Sequence, residues 1–100
     1  MAPPPEEFDP VLLSPARLGV VTALLGREGV TFPDLKNLLG LTQGNLGAHL
    51  RTLEEAGYVE VVKDFEGRKP RTTCRLSAKG RKAFERHVER LEAILRKSGG

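Results

Sequence analysis

The sequence is poor in aromatic residues and in cysteine. Its 100 residues include no tryptophan, one tyrosine, four phenylalanines and one cysteine, Cys74. A lone cysteine cannot form an internal disulfide, and no CxxC partner or histidine cluster accompanies it to make a zinc site. This composition predicts a protein of a reducing compartment, with no bound metal and no cofactor.

Long apolar runs and signal segments are missing as well. No stretch approaches the roughly 20 consecutive apolar residues of a membrane-spanning helix. The chain opens with MAPPPEEFD, which is acidic and proline-rich where a secretory signal is basic and then apolar. We therefore expect a cytoplasmic protein that is neither secreted nor inserted in a membrane.

The residue patterns of common catalytic sites are also lacking. The sequence has no GxxxxGK(S/T) phosphate loop, no serine with its own histidine and aspartate arrangement, and no paired carboxylates in an obvious cleft. No catalytic residue is predicted, and we expect the chain not to be an enzyme.

What is present fits one soluble globular domain. Hydrophobic residues make up 39% of the chain and charged residues 29%, and a chain of this length holds a single core. Residues 1–7 are acidic and proline-rich, so we expect them to form a disordered tail, with the domain covering residues 8–97.

Positive charge is concentrated in one segment. The net charge of the chain is +3, but the segment from Lys63 to Lys82 contains eight basic residues and two acidic ones. A local excess of this size suits contact with phosphate groups, although a solvated surface without a partner has the same composition.

Four helices are predicted from capping residues and apolar spacing. The first helix ends near Gly26 or Gly29, and the short second helix stops at Gly40. Because Leu41 alone separates Gly40 from the next cap, the second and third helices form a helix-turn-helix. The predicted N-caps are serines and threonines that each precede an apolar run: Ser14, Thr31, Thr42 and Ser77.

Two extended segments follow the third helix. Residues 58–63 and 71–76 are rich in β-branched side chains, and the stretch between them contains Gly67 and Pro70. This pattern predicts a two-stranded hairpin with a basic tip.

The last helix, residues 78–97, has an apolar seam about as narrow as that of a coiled coil. Because a small core has difficulty covering the whole seam, we expect two chains to pair through it, with residues 8–13 packed nearby. The alternative is a helix folded back on its own chain. The predicted dimer interface comprises Phe8, Val11, Leu12, Phe84, Val88, Leu91 and Leu95.

The order of three helices, a basic hairpin and a helix is that of a winged helix-turn-helix. This is an α+β fold, mainly α, with a β-hairpin wing and a C-terminal dimerisation helix. The runs GNLGAHLRTLEEAGYV, residues 44–59, and GRKPRTT, residues 67–73, resemble the small winged-helix transcriptional regulators related to the MarR and ArsR groups. The similarity covers residues 8–95. It implies a homodimeric, DNA-binding, repressor-like protein without catalytic activity.

The third helix, residues 42–56, is the predicted recognition helix. When its leucines face inward, a projection at about 100° per residue leaves small and polar residues outward. Asparagine and arginine side chains can bond to adenine and guanine edges, and glycines let the backbone approach the major groove. A helix whose polar face is merely hydrated is the alternative. The predicted DNA contacts are Thr42, Gln43, Gly44, Asn45, Ala48, Arg51 and Thr52.

The tip of the hairpin, residues 65–71, is the predicted wing. We expect Arg68 to enter the minor groove, because narrow A·T-rich grooves attract arginine, and Lys69 and Arg71 to hold the flanking phosphates. Lys63 and Arg75, on the strands, are expected only to flank the contact. An unliganded charged loop is the alternative.

Competing functions share the same fold. A protein-interaction module and a regulator controlled by a small ligand or a metal remain open, and any effector is unknown. The cysteine pair of metal-sensing ArsR relatives is absent here, and we expect His87 on the surface. His49 is expected to be a half-buried structural residue, and Cys74 a small buried strand residue. The expected partners are double-stranded DNA and a second copy of the chain.

Overall fold

The computed structural model describes residues 7–99, so all of the predicted tail except Glu7 lies outside the described residues. A 3-10 helix, Pro10–Leu13, precedes the four α-helices α1 (Pro15–Leu24), α2 (Phe32–Leu39), α3 (Gln43–Glu55) and α4 (Ala78–Ser98). The strands are β1 (Val30–Thr31), β2 (Val59–Glu66) and β3 (Lys69–Leu76). This mainly helical architecture with a small antiparallel sheet confirms the predicted fold class.

The α-helices begin at the predicted caps. In each case the hydroxyl of the capping residue accepts a hydrogen bond from the backbone N–H three residues later, which satisfies one of the free donors at the helix start. The helix-turn-helix between α2 and α3 closes at Gly40, whose φ of +65° is the left-handed conformation favoured by glycine. The capping residues are Ser14, Thr31, Thr42 and Ser77.

The sheet differs from the prediction in two ways. Its strand order is β1-β3-β2, so the two-residue β1, which was not predicted, pairs with β3 through Val30 to Cys74 and Thr31 to Thr73. The hairpin strands also run further than predicted, since Glu66 pairs with Lys69 and leaves a two-residue turn. Two-residue turns of this kind match the twist of the flanking strands.

The core lies between the helix-turn-helix, α1 and the base of the sheet. Its residues are aliphatic apart from a fully buried cysteine, as the sequence predicts for Cys74. The buried residues are Leu12, Val20, Val21, Leu24, Leu35, Leu46, Leu50, Leu53, Val59, Cys74 and Ala83.

The segment before α1 packs into this core. Leu12, which was predicted for the dimer interface, has no exposed surface within a single chain. The reason is that the 3-10 helix turns Leu12 toward the core, where its burial stabilises the chain's own fold. Asp9 starts this turn by accepting a hydrogen bond from the N–H of Val11, at 3.0 Å.

The beginning of α4 closes against the base of the sheet. Gly80 is buried, and a Cβ atom there would collide with the carbonyl oxygen of Tyr58 and lie 2.8 Å from Cδ1 of Leu76. Tyr58 in turn donates its hydroxyl hydrogen to Asp9, which joins the amino-terminal segment to β2. Burial, with help from the hydrogen bond to Asp9, raises the pKa of Tyr58 to about 12.

His87 is 5% exposed, so the prediction of a surface histidine was wrong. Its ring packs against Phe8 at 5.2 Å between centroids, with the planes inclined by 59°. The basic neighbours that suggested exposure lie on the other faces of α4, while Phe8, 79 positions earlier, covers this one. None of the described helices is long and apolar enough to cross a membrane.

Candidate nucleic-acid interface

The outward face of α3 carries the residues predicted from its periodicity. Leu46, Leu50 and Leu53 are buried. Five of the seven predicted contacts lie on the opposite side of the helix, and Thr42 and Gln43 lie at its N-terminus. All seven are exposed except Thr52, which is half-buried and donates its hydroxyl hydrogen to the carbonyl of Ala48. Thr42 caps the helix by accepting from the N–H of Asn45 at 3.1 Å. The positive end of the helix dipole therefore lies at this exposed surface.

Two glycines of α3 have no packing role. A Cβ atom at Gly44 or Gly47 would have nothing within 4 Å. Glycine inside a helix is less stable than alanine by roughly 1 kcal/mol. Packing within the chain therefore does not require either glycine, and the bare backbone is open to an external surface.

A polar groove of about 390 Å³ runs between α3 and the sheet. Gln43 and Arg51 line it from the helix, and Lys63 lines it from β2. Lys63 was expected only to flank the contact, yet the alternation of β2 turns it toward α3. Glu54 is the one acidic residue among those that line the groove, and Lys63 and Arg51 are its basic residues.

The wing ends in the two-residue turn Gly67-Arg68. Gly67 has a φ of +66°, and the positive φ is confined to this first position of the turn, which is the pattern of a type II′ hairpin. Arg68 occupies the second position and is exposed, as is Lys69. Within residues 7–99, neither of these two cations forms an ion pair.

Arg71, the third predicted cation of the wing, is paired with carboxylates. Its Nε and Nη2 atoms each donate to Asp64 at 3.1 Å, and its Nη1 lies 3.5 Å from Glu66. This hydrogen-bonded pairing lowers the pKa of Asp64 and raises that of Arg71. Arg68 and Lys69 therefore supply the uncompensated charge of the wing.

A hydrogen-bonded arginine links α3 to the rest of the domain. Nε of Arg17 donates to the carbonyl of Val11 at 2.7 Å, and its Nη1 lies 3.3 Å from Nδ1 of His49. Because arginine only donates, Nδ1 of His49 is the acceptor. His49 is half-buried, as predicted, and serves to hold the helix in place.

Groups that would support metal or redox sensing are not assembled in the described part of the chain. Among residues 7–99, no three histidine, cysteine or acidic side chains form a cluster suited to a metal ion. Burial raises the pKa of Cys74 to about 11, which keeps its thiol protonated and unreactive near neutral pH.

The predicted dimer residues differ in exposure, because those near the domain's own core are half-buried and those near the end of α4 are exposed. Val11 and Phe84 are half-buried against the chain's own core, and Phe8 covers His87. Val88 is also half-buried, whereas Leu91 is 42% exposed and Leu95 is 68% exposed. Ile94, which was not predicted, is 48% exposed beside them.

Comparison with known proteins gives a consistent result. Residues 16–95 match a family model described as a winged helix DNA-binding domain. An uncharacterized protein of Methanocaldococcus jannaschii is 39% identical over 75 residues, which are 75% of this chain and 82% of that protein.

Solved structures resemble the chain over most of its length. A transcriptional regulator homologue from Pyrococcus horikoshii OT3 is 34% identical with a TM-score of 0.81, over 87% of this chain and 86% of that one. A MarR-family regulator structure from Porphyromonas gingivalis W83, described as putative in its name, is 19% identical with a TM-score of 0.69, over 85% and 80% of the two chains. This second likeness is one of fold.

Proposed function

Because the chain belongs to the winged helix DNA-binding domain family, we propose that it is a homodimeric repressor that binds specific double-stranded DNA. In this proposal α3 enters the major groove and the wing enters the adjacent minor groove. The observation that carries it is the outward face of α3, with its unpacked glycines, together with a wing whose cations Arg68 and Lys69 are unpaired among residues 7–99.

The chemistry of α3 supports major-groove reading. Asn45 and Arg51 are exposed side chains able to make paired hydrogen bonds to adenine and guanine edges. The capped start of α3 suits a phosphate, because its backbone N–H groups and dipole attract negative charge. Gly44 and Ala48 keep the surface between these contacts low enough for the helix to approach the bases.

The charge distribution of the wing supports a minor-groove contact. Arg68 projects from the turn with no acidic partner among the described residues, so its charge is available to the negative potential of a narrow groove. Lys69 lies next to it, in reach of a flanking phosphate. Arg71 has the lesser role of neutralising Asp64 and Glu66, which would otherwise repel DNA.

The exposed end of α4 supports pairing of two chains. Ala83 and His87 are buried, and Leu91 and Ile94 continue the same helical stripe at spacings of four and three. The stripe is thus buried near the start of α4 and exposed near its end, where its residues are still apolar. A second copy of α4 would cover it, and a two-fold dimer of this kind would bind half-sites about 34 Å apart, or about 10 base pairs.

Binding to random-sequence duplex DNA over a series of salt concentrations tests this function. We expect affinity to fall steeply with salt, and Arg68→Ala to reduce the slope of log affinity against log salt by about 1. Arg81→Ala removes the same charge from an exposed position in the first turn of α4, outside the wing, and it serves as the matched control.

A different experimental result would contradict each part of the proposal. Salt-independent binding, or none, by the unaltered protein would reject the DNA-binding role. An unchanged slope in Arg68→Ala would reject the wing contact, and a monomer in sedimentation equilibrium would reject the dimer. Repression is tested separately, by transcription from a promoter that contains a selected site.

A further inference from the structure

A large aromatic side chain lies uncovered in the wing. Phe65 is 68% exposed, and it is the one aromatic residue among the exposed large hydrophobic side chains of residues 7–99. It lies two positions before Gly67 and pairs with Pro70 across the hairpin. The ring therefore contributes nothing to the core, although it stands on one of the longest strands of the domain.

The strand alternation fixes the direction in which Phe65 points. Val59 and Val61 pack on the core side of β2, so Lys63 and Phe65 continue that same face toward the tip. Lys63 and its partner Thr72 line the groove beside α3. Phe65 is thus on the side of the hairpin that also faces the recognition helix.

Acidic residues occupy the opposite side of the hairpin. Asp64 and Glu66 alternate with Phe65, and both are engaged by Arg71. The face that carries Phe65 is free of carboxylates from residue 63 to residue 66 and also carries Lys63, and Arg68 follows in the turn, whereas Lys69 pairs with Glu66 on the opposite face. An apolar ring bordered by cations is complementary to a surface that is apolar between rows of negative charge.

The minor groove of DNA is such a surface, because its walls are deoxyribose carbons and its rims are phosphates. Proteins that bind there combine basic side chains with apolar ones such as phenylalanine. We propose that Phe65 is an apolar DNA contact of the wing, with its ring packed against the deoxyribose wall beside the turn that carries Arg68. This contact rests on the proposed function and adds a salt-independent component to it.

The contact is tested with Phe65→Ala and Phe65→Leu in the same salt series. We expect Phe65→Ala to weaken binding about tenfold at every salt concentration, which corresponds to about 1.4 kcal/mol of the apolar burial a phenylalanine offers. The salt slope should remain that of the unaltered protein, because no charge is removed. Phe65→Leu should recover most of the affinity.

Arg68→Ala is the matched comparison, since it changes the slope from a position three residues away. If the unaltered protein binds DNA and Phe65→Ala binds it with the same affinity, the Phe65 contact alone is overturned. No binding by the unaltered protein would overturn the DNA-binding function with it. A shift toward monomer in Phe65→Ala, seen by sedimentation, would also overturn the contact and assign the ring to a protein interface.

Discussion

The two strands of the hairpin pass through two unlike environments. At their base, Val59 and Cys74 are buried, and α4 packs so closely on Tyr58 and Leu76 that a Cβ atom at position 80 would collide with them. At their tip, residues 63–70 are all exposed. The base is packed against the core, and the tip carries, without packing, the cations Arg68 and Lys69, which are unpaired in the described part of the chain.

In the proposed function, this difference lets the hairpin both pack against the core and contact DNA. A contact surface for DNA needs side chains whose charge and apolar area are not already used within the chain. Such side chains contribute little to stability, so the base of the hairpin must hold the tip in place. Substitutions should therefore separate cleanly into those that change unfolding and those that change binding.

The largest expected effect comes from the amino-terminal segment that supports the base. Leu12→Ala removes a fully buried side chain, and we expect the free energy of unfolding to fall by about 2 to 5 kcal/mol in urea denaturation. Phe65→Ala deletes a larger side chain from the exposed tip and should leave the unfolding midpoint unchanged. Equal losses in the two variants would break the contrast between base and tip.

A second test uses two glycines whose surroundings differ. Gly80→Ala places a methyl group against the carbonyl of Tyr58, so we expect a loss of about 1 to 3 kcal/mol in the same measurement. Gly44→Ala meets open space and should raise stability by up to about 1 kcal/mol, while it weakens DNA binding. A Gly44→Ala variant that binds DNA normally would show that α3 does not need its bare backbone.

The smallest expected effect is that of the Tyr58 hydroxyl. Tyr58→Phe removes the hydrogen bond to Asp9 and should cost about 1 kcal/mol at pH 7. Since folding raises the pKa of Tyr58 from 10.0 to about 12, the stabilisation is complete below pH 10 and is lost as the pH rises toward 12.

Thermal unfolding of both proteins between pH 8 and about pH 12 measures that dependence. The stability difference between the unaltered protein and Tyr58→Phe should shrink across this range. Cys74 also titrates there, but it is present in both proteins and cancels in the difference. A difference that stays constant with pH would show that the Tyr58 hydroxyl does not couple to folding.

Local chemistry explains what the sequence predicted well. The helix starts depend on a hydroxyl and a backbone N–H three residues away, so Ser14, Thr31, Thr42 and Ser77 were identifiable without any tertiary information. The exposed positions of α3 followed from the leucine spacing in the same way.

Partners that are distant in sequence explain what was missed. The two residues of β1 have no periodicity of their own and become a strand only by pairing with β3. Pro70 suggested a loop, yet it lies within β3. Glu66 and Lys69 form the hydrogen-bonded pair next to the turn, so Phe65 and Pro70 form a pair without hydrogen bonds between them. The N–H that proline lacks would therefore have pointed away from β2, and its absence costs the sheet no hydrogen bond. His87 was misplaced because Phe8, which covers it, is remote in the chain.

The contacts of Arg17 have a consequence for how α3 is aimed. One guanidinium group joins the carbonyl of Val11 to the ring of His49, at 2.7 and 3.3 Å. A helix advances 1.5 Å per residue, so sliding α3 by even one residue would break the second bond. Arg17 therefore fixes the position of α3 along its own axis relative to Val11, which lies outside the helix-turn-helix.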